Sequence, residues 1–247
     1  VRAESDPERP SSTPRVVPEV AAGLRASRAE QFEDALRAAV DMGEAGDRLL
    51  AELDGLSGWR HVLVTAALGD VRGPAGRAVL LRTLSTGGAG TSDLRCAATL
   101  ALAKRDEPGA TPALAGLVDD RDHAVRLFAL FGLAAIGDDS AYDVVLARVT
   151  AMLARRRTTE AFDFSPLTLA VTHLLRHVHQ DARRASDLTS LLRRRRQHMT
   201  PGEHGWFTEH WPDLDAPDVS GPHRLPDPGP LQSQLLAHPL YASSAVH

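Results

Sequence analysis

The amino-acid sequence predicts an all-α fold, a short right-handed α-solenoid of about five helical pairs. Three observations lead there. The chain is 43% hydrophobic with only 4% aromatics, and that apolar content is mostly Ala, Leu and Val. Ala and Leu favour packed helices, whereas a β-sandwich draws on β-branched and aromatic residues. The text from about Arg25 to Arg196 reads as helices broken at Gly, Pro, Asp and Ser. Finally, three segments line up: AALGDVRGPAGRAVLLRTL from Ala66, LALAKRDEPGATPALAGLV from Leu100 and FGLAAIGDDSAYDVVLARV from Phe131. In them Leu68, Leu102 and Leu133 correspond, as do Ala75, Gly109 and Ser140, and Leu80, Leu114 and Val145.

Residues 1–24 are expected to form a disordered lead, because the first twenty hold four prolines and many polar residues and no apolar run of the kind a secretion signal needs. Residues 25–199 carry the repeats. The correspondences are 34 and then 31 residues apart, and the extra length falls in the Gly-rich loop Ser85–Ser92. Weaker copies flank them at Arg28–Leu56 and Pro166–Arg196. A unit of about 30 to 35 residues with two helices cannot bury its apolar face alone, and stacking buries it.

Break signals set the boundaries. Gly137 follows an apolar run and suits a left-handed residue just past a helix end. Ser140 and Asp143 are spaced as a capping box for the next helix. Thr111-Pro112 and Ser165-Pro166 each pair a capping oxygen with proline at the first helical position. Thr200-Pro-Gly-Glu203 repeats that logic and predicts a last short helix over 201–210. Residues 200–247 form a Pro- and His-rich tail, either disordered or extended over the body. Trp206, Phe207 and Trp211 fall within six residues of that tail, and they are expected to cap the last repeat or, alternatively, to recognise something elsewhere.

The stretch Val125–Ile136 carries one charge, Arg126. It is too short to span a bilayer, which takes about 20 residues. It reads as the inner helix of a central repeat, covered by its partner and by both neighbours. The one cysteine, Cys96, cannot pair internally and fits a buried thiol in a reducing compartment, so a cytoplasmic location is expected. Of 28 basic residues only Lys104 is a lysine. That bias accompanies abundant Ala, Gly and Pro, so arginine content alone is no signal of function.

Asp122-His-Ala-Val-Arg126, then Leu-rich text, then Ile136-Gly137-Asp138, Ala141 and Leu146 resembles the HEAT-like repeat of the phycobilisome-lyase type. Asp93-Leu-Arg95 followed by Leu102 is a second, shorter match. The resemblance covers about residues 59–150. It implies an ARM-type α-solenoid in which Asp93 and Asp122 start first helices, Arg95 and Arg126 hold adjacent repeats, and Gly137 belongs to the repeat signature. At the place of Ile-Gly-Asp the preceding repeat reads Lys104-Arg105-Asp106. HEAT-like repeats serve adaptors, lyase subunits, a hydroxylase and a class of DNA glycosylases, so the resemblance leaves activity open.

Three constellations bear on chemistry. His173 and His177 are four apart on one helix face and are the candidates for a metal, with His198, His204 and His210 downstream. The resembling hydroxylase uses His-Glu dipeptides, and here only Glu203-His204 and Glu209-His210 occur, in reversed order. A glycosylase would want Trp and Asp over a basic groove, but Trp59 is far in sequence from Trp206 and Trp211, which lie in the tail, and the net charge is −4. The charge is unevenly spread: residues 151–200 hold ten Arg against four acids, while residues 1–58 and 201–247 are both net acidic. The block comprises Arg155, Arg156, Arg157, Arg183, Arg184, Arg193, Arg194, Arg195 and Arg196. It is a candidate surface for nucleic acid or another polyanion, unless the acidic tail docks on it.

The expectation drawn from these readings is a non-catalytic scaffold or regulatory subunit that binds another protein on a concave face lined by the second helices. Arg77, Arg82, Asp143, Arg148, Arg184 and Arg193 are the candidate exposed contacts there. No cofactor and no catalytic residue is expected. Polyanion binding, and a metal-dependent or lyase- or glycosylase-type enzyme, stand as the alternatives.

Overall fold

A computed structural model describes residues 13–88, 90–156, 165–215 and 229–237. The α-helices are α1 (Thr13–Gly23), α2 (Ala29–Asp41), α3 (Glu44–Ala51), α4 (Gly58–Ala67), α5 (Pro74–Leu84), α6 (Ser92–Arg105), α7 (Ala110–Ala115), α8 (His123–Ile136), α9 (Tyr142–Met152), α10 (Pro166–His177), α11 (Ala182–Arg194), α12 (Pro201–His210) and α13 (Gly229–Leu236). Among the described residues there is no strand, and no helix is long and apolar enough to cross a membrane. In chain order α2 to α11 alternate as first and second helices of the short helical solenoid, and each of the second helices α5, α7 and α9 packs on the first helix that follows it.

The first helices form one layer. Helix α6 lies between α4 and α8, and α8 lies between α6 and α10. Burial follows from that position. Every residue of α6 from Cys96 to Arg105 is buried, as are Ala129–Ala135 of α8 and Leu169–Leu175 of α10. The second helices are different. Helix α9 buries only Tyr142, Val145 and Val149, and α5 buries Gly76, Leu80, Thr83 and Leu84. Spacings of three and four put those residues on one face, and the opposite face meets solvent. The corresponding positions Leu80, Leu114 and Val145 are all 0% exposed, which is why the repeat is readable as a spacing.

Several breaks lie where the sequence places them, and others are built differently. Ser165 Oγ accepts from Leu167 N (3.2 Å) ahead of Pro166. Thr200 and Glu203 form a full capping box on α12, with Thr200 N donating to Glu203 Oε2 at 2.8 Å. Ser140 and Asp143, however, do not cap α9. Asp138 instead caps a 3-10 turn at Asp139–Ala141 that leads into the helix, accepting from Ser140 N (2.9 Å) and Ser140 Oγ (2.6 Å). Thr111 is likewise not a cap. Helix α7 starts at Ala110, and the buried Thr111 Oγ1 accepts from Asp138 N across the repeat at 3.1 Å.

Gly137 is not left-handed, since its φ is −56° and its ψ 140°. Glycine is required there by proximity, because a Cβ would stand 2.7 Å from Leu133 O. Part of the expected disordered lead is also helical. Helix α1 packs on α2, with Val20 and then Leu24 buried, so the chain from Val20 onward contributes to the core. Residues 1–12 lie outside the described residues.

The tail is helical where it is described. Phe207, Trp211 and Leu214 are 0%, 2% and 0% exposed and join the core cluster with Leu188 and Leu192 of α11. Aromatic closure of a terminal repeat accounts for their placement. Helix α13 then returns to the middle of the molecule and packs on α8 and α6.

Candidate functional site

The surface available to a partner is defined by what the repeats consume first. Arg95 on α6 makes two parallel bonds to the Asp120 carboxylate, one at 3.0 Å, and its Nε donates to Leu84 O at 3.1 Å. The bond from Arg95 holds the Asp120 carboxyl below the usual carboxylate range. Asp122 caps α8, accepting from Ala124 N at 2.9 Å. Asp93 is exposed in the first turn of α6, where the helix dipole favours a negative charge. Arg126 donates to Asp120 O (2.5 Å) and Arg121 O (3.1 Å) and closes the turn ahead of α8.

A second network has no counterpart in the sequence reading. Arg105, at the end of α6, reaches Asp47 on α3 at 3.0 Å and Leu68 O at 2.8 Å, and it also donates to Gly73 O. Its Nε donates to Glu107 Oε1 at 3.0 Å. The other Asp47 oxygen accepts from Gly76 N at 2.9 Å. A Cβ at Gly73 or Gly76 would overlap the Asp47 carboxylate, so both glycines make room for it. Beside this network Lys104 pairs with Asp70 at 2.6 Å. The signal in the sequence was a charged pair, Lys104-Arg105, closing an otherwise apolar run.

The histidines meet backbone carbonyls at the end of α8, where Leu133 O also accepts from Gly137 N at 2.9 Å. His173 Nδ1 meets Leu133 O at 3.0 Å, Arg176 donates to Ala134 O at 2.9 Å, and His177 Nε2 meets Gly137 O at 3.0 Å. A carbonyl only accepts, so His173 carries its proton on Nδ1 and His177 carries one on Nε2. Burial pushes His173 down to about 4, so the ring is neutral. The two rings are 4.9 Å apart, but each aims a nitrogen at a different carbonyl. The other histidines are dispersed: His198 Nδ1 bonds Leu153 O at 2.7 Å, and His210 stacks on Trp206 at 4.5 Å. Among the described residues no three His, Cys, Asp or Glu side chains form a group able to hold a metal.

Of the six expected contact residues, Arg82 and Asp143 are exposed. The other four are half-buried, because the repeats use them. Arg148 pairs with Asp119 at 3.1 Å. Arg184 pairs with Asp139 and lies over the Tyr142 ring, 4.0 Å from its centroid. Arg193 Nε donates to Leu214 O. The Arg77 guanidinium lies against Gly109, whose φ is +90°.

The arginine block is partly gathered. The His198–Leu153 bond ties the turn after α11 to the end of α9, which brings the run at Arg155 and Arg156 toward the run at Arg194 and Arg195. Arg155, Arg156, Arg183, Arg194 and Arg195 are exposed, while Arg184, Arg193 and Arg196 are half-buried. Arg157 lies outside the described residues. The three tryptophans do not converge. Trp59 is 47% exposed and meets Phe32 edge-on near the start of the stack, whereas Trp206 and Trp211 belong to the C-terminal cap.

A family model for HEAT repeats matches residues 79–162, which span α6 to α9 and their flanks. No curated protein matches the chain. Among solved structures, a crystal structure of an engineered protein is similar at 17% identity over 90% of this chain and 95% of the other, with a TM-score of 0.43. Residues 79–162 therefore carry HEAT-like repeats within a short helical solenoid.

Proposed function

We propose that this chain is a non-catalytic scaffold that binds a partner protein on the face made by its second helices α5, α7, α9 and α11. HEAT repeats commonly mediate protein interactions, and the observation that carries the reading is the contrast between layers. The inner first helices α6, α8 and α10 bury long continuous runs, while α5 and α9 leave Leu81, Arg82, Asp143, Ala147 and Thr150 at the surface. Under that surface the arginines are locked by ion pairs and ring contacts, as Arg148 is by Asp119 and Arg184 by Asp139 and Tyr142. A stiff surface costs little ordering on association. Recognition would rest on shape and on the mixed charges of Arg82 and Asp143.

The test is capture by the tagged chain and by an Arg82→Glu/Asp143→Arg variant, with circular dichroism to confirm that both fold. A protein retained by the wild type and lost by the variant supports the reading. Equal retention contradicts it.

A second reading, binding of a polyanion, is favoured by the juxtaposition of Arg155 and Arg156 with Arg194 and Arg195 at the end of the stack. It predicts retention on heparin that salt weakens, and loss of that retention when Arg194 and Arg195 become Ala. A location in a reducing compartment is part of the proposal and rests on the lone buried Cys96.

A further inference from the structure

From Leu127 to Ile136, past the single charge of Arg126, helix α8 carries no polar side chain on any face. Three sides are taken by α6, α10 and α7. A first helix in a two-layer stack then turns its fourth side to water, and that side is ordinarily polar. Here it is apolar, and the chain covers it with α13, brought back from far along the sequence. Gln232 Nε2 donates to Ala135 O at 2.9 Å, 97 residues away. Leu235 is 1% exposed and Leu231 packs against the same core. With His173 on Leu133 O and Arg176 on Ala134 O, Gln232 adds a third side-chain contact to the last-turn carbonyls of α8.

The hold is shallow compared with the neighbouring cap. Phe207, Trp211 and Leu214 are all buried to within 2%, whereas α13 contributes one fully buried side chain, and Leu236 beside it is 64% exposed. An eight-residue helix beginning Gly229-Pro230 has little stability by itself. Its ordered shape depends on the surface beneath it, as a helical peptide's does in a recognition groove.

We propose that the α6–α8 face is a docking site for a short amphipathic helix of a partner protein, with two leucines four residues apart and a side-chain amide donor next to the first, and that residues 229–237 occupy this site in cis. Leu231, Gln232 and Leu235 display the recognised pattern. The occupant belongs to the same chain, so a helix arriving in trans competes with an intramolecular partner. This inference is independent of the second-helix surface proposed above, because the face belongs to the other layer.

The test uses the full chain and a fluorescein-labelled peptide of residues 226–240. Leu231→Asp/Leu235→Asp in the chain releases the occupant. The expected result is saturable peptide binding to the double variant at least about tenfold tighter than to the wild type, and no binding of a peptide carrying the same two substitutions. Absence of saturable binding to a folded double variant overturns the proposal. So does a concentration-dependent dimer of the wild type that the double variant lacks, since the site would then belong to a second copy. Should the double variant fail to fold, hydrogen exchange on the wild type decides. Protection across 231–237 should be at least about a hundredfold below that of α12, because a detachable element opens on its own. Protection equal to that of α12 marks α13 as a permanent part of the core and overturns the proposal.

Discussion

Arg105 and Asp47, 58 residues apart, form an ion pair in which neither side chain is exposed to solvent. The pair links the second helix of the first helical pair to the first helix of the third, across the turn that ends α4. Burying two charges is costly, and the remaining donors and acceptors are satisfied by Leu68 O, Gly73 O, Glu107 and Gly76 N. Removing one partner leaves the other charge buried and unpaired. Arg105→Ala or Asp47→Ala is expected to cost about 3–5 kcal/mol in urea unfolding. The double variant is expected to cost clearly less than the two single losses combined. Single losses below about 1 kcal/mol would mean that the pair does not hold the repeats together.

His173 gives a pH dependence with a definite sign. Its folded value lies near 4 because burial disfavours the charged ring, against an ordinary value of 6.5. Between those two values the unfolded chain binds the extra proton, so stability is full above about pH 6.5 and falls as the pH drops toward 4. The expected loss from this residue is about 3 kcal/mol across that window. His173→Gln, which retains a donor for Leu133 O, should flatten the profile there. The carboxylates of Asp120 and Asp122 are held low by the Arg95 and Ser92 bonds respectively. Their contributions persist through the histidine window and are lost only below about pH 4. An unchanged slope in His173→Gln would contradict the buried neutral assignment.

Cys96 is buried in α6, and burial raises its thiol to about 12. The thiolate is the reactive form. A disulfide-exchange reagent is therefore expected to leave the native protein essentially unmodified at pH 8 and to react promptly in denaturant. Fast labelling of the native chain would show that α6 is not the closed inner helix described.

The capping box of α12 supports the aromatic closure of the last repeat. Thr200→Ala removes the acceptor for Glu203 N and is expected to cost about 1 kcal/mol in thermal or urea unfolding. Trp211→Ala, at a 2% exposed ring, should cost about 3–5 kcal/mol. A comparable small loss for both would mean that the aromatic segment does not close the stack.

The repeats were legible because their determinants are local and periodic. Leu68, Leu102 and Leu133 recur at one register, and Leu80, Leu114 and Val145 recur with them, so spacing alone marked them as buried. The caps at Ser165 and Thr200 were legible for the same reason, since each side chain acts within three residues of itself. The Arg105–Asp47 pair, the bonds of His173 and His177 to carbonyls at the end of α8, and the return of Gln232 to Ala135 were not. Each joins residues tens of positions apart, and each depends on how the loops between helices set the stack. The cap at Asp138 rather than Ser140 belongs to the same class, because its backbone amide is also fixed by Thr111 from the previous repeat. On the surface, the sequence picked arginines by helix face, but whether a face arginine is free depends on an acid in the adjacent repeat, as Asp119 is for Arg148.

The measurement that bears most directly on the central claim is capture by the tagged full chain from native lysate, split with and without nuclease and read by mass spectrometry. The account predicts one protein enriched equally in both halves and lost when Arg82 and Asp143 exchange their charge. Enrichment that vanishes with nuclease would contradict it and move recognition to the arginines at 155–156 and 194–195.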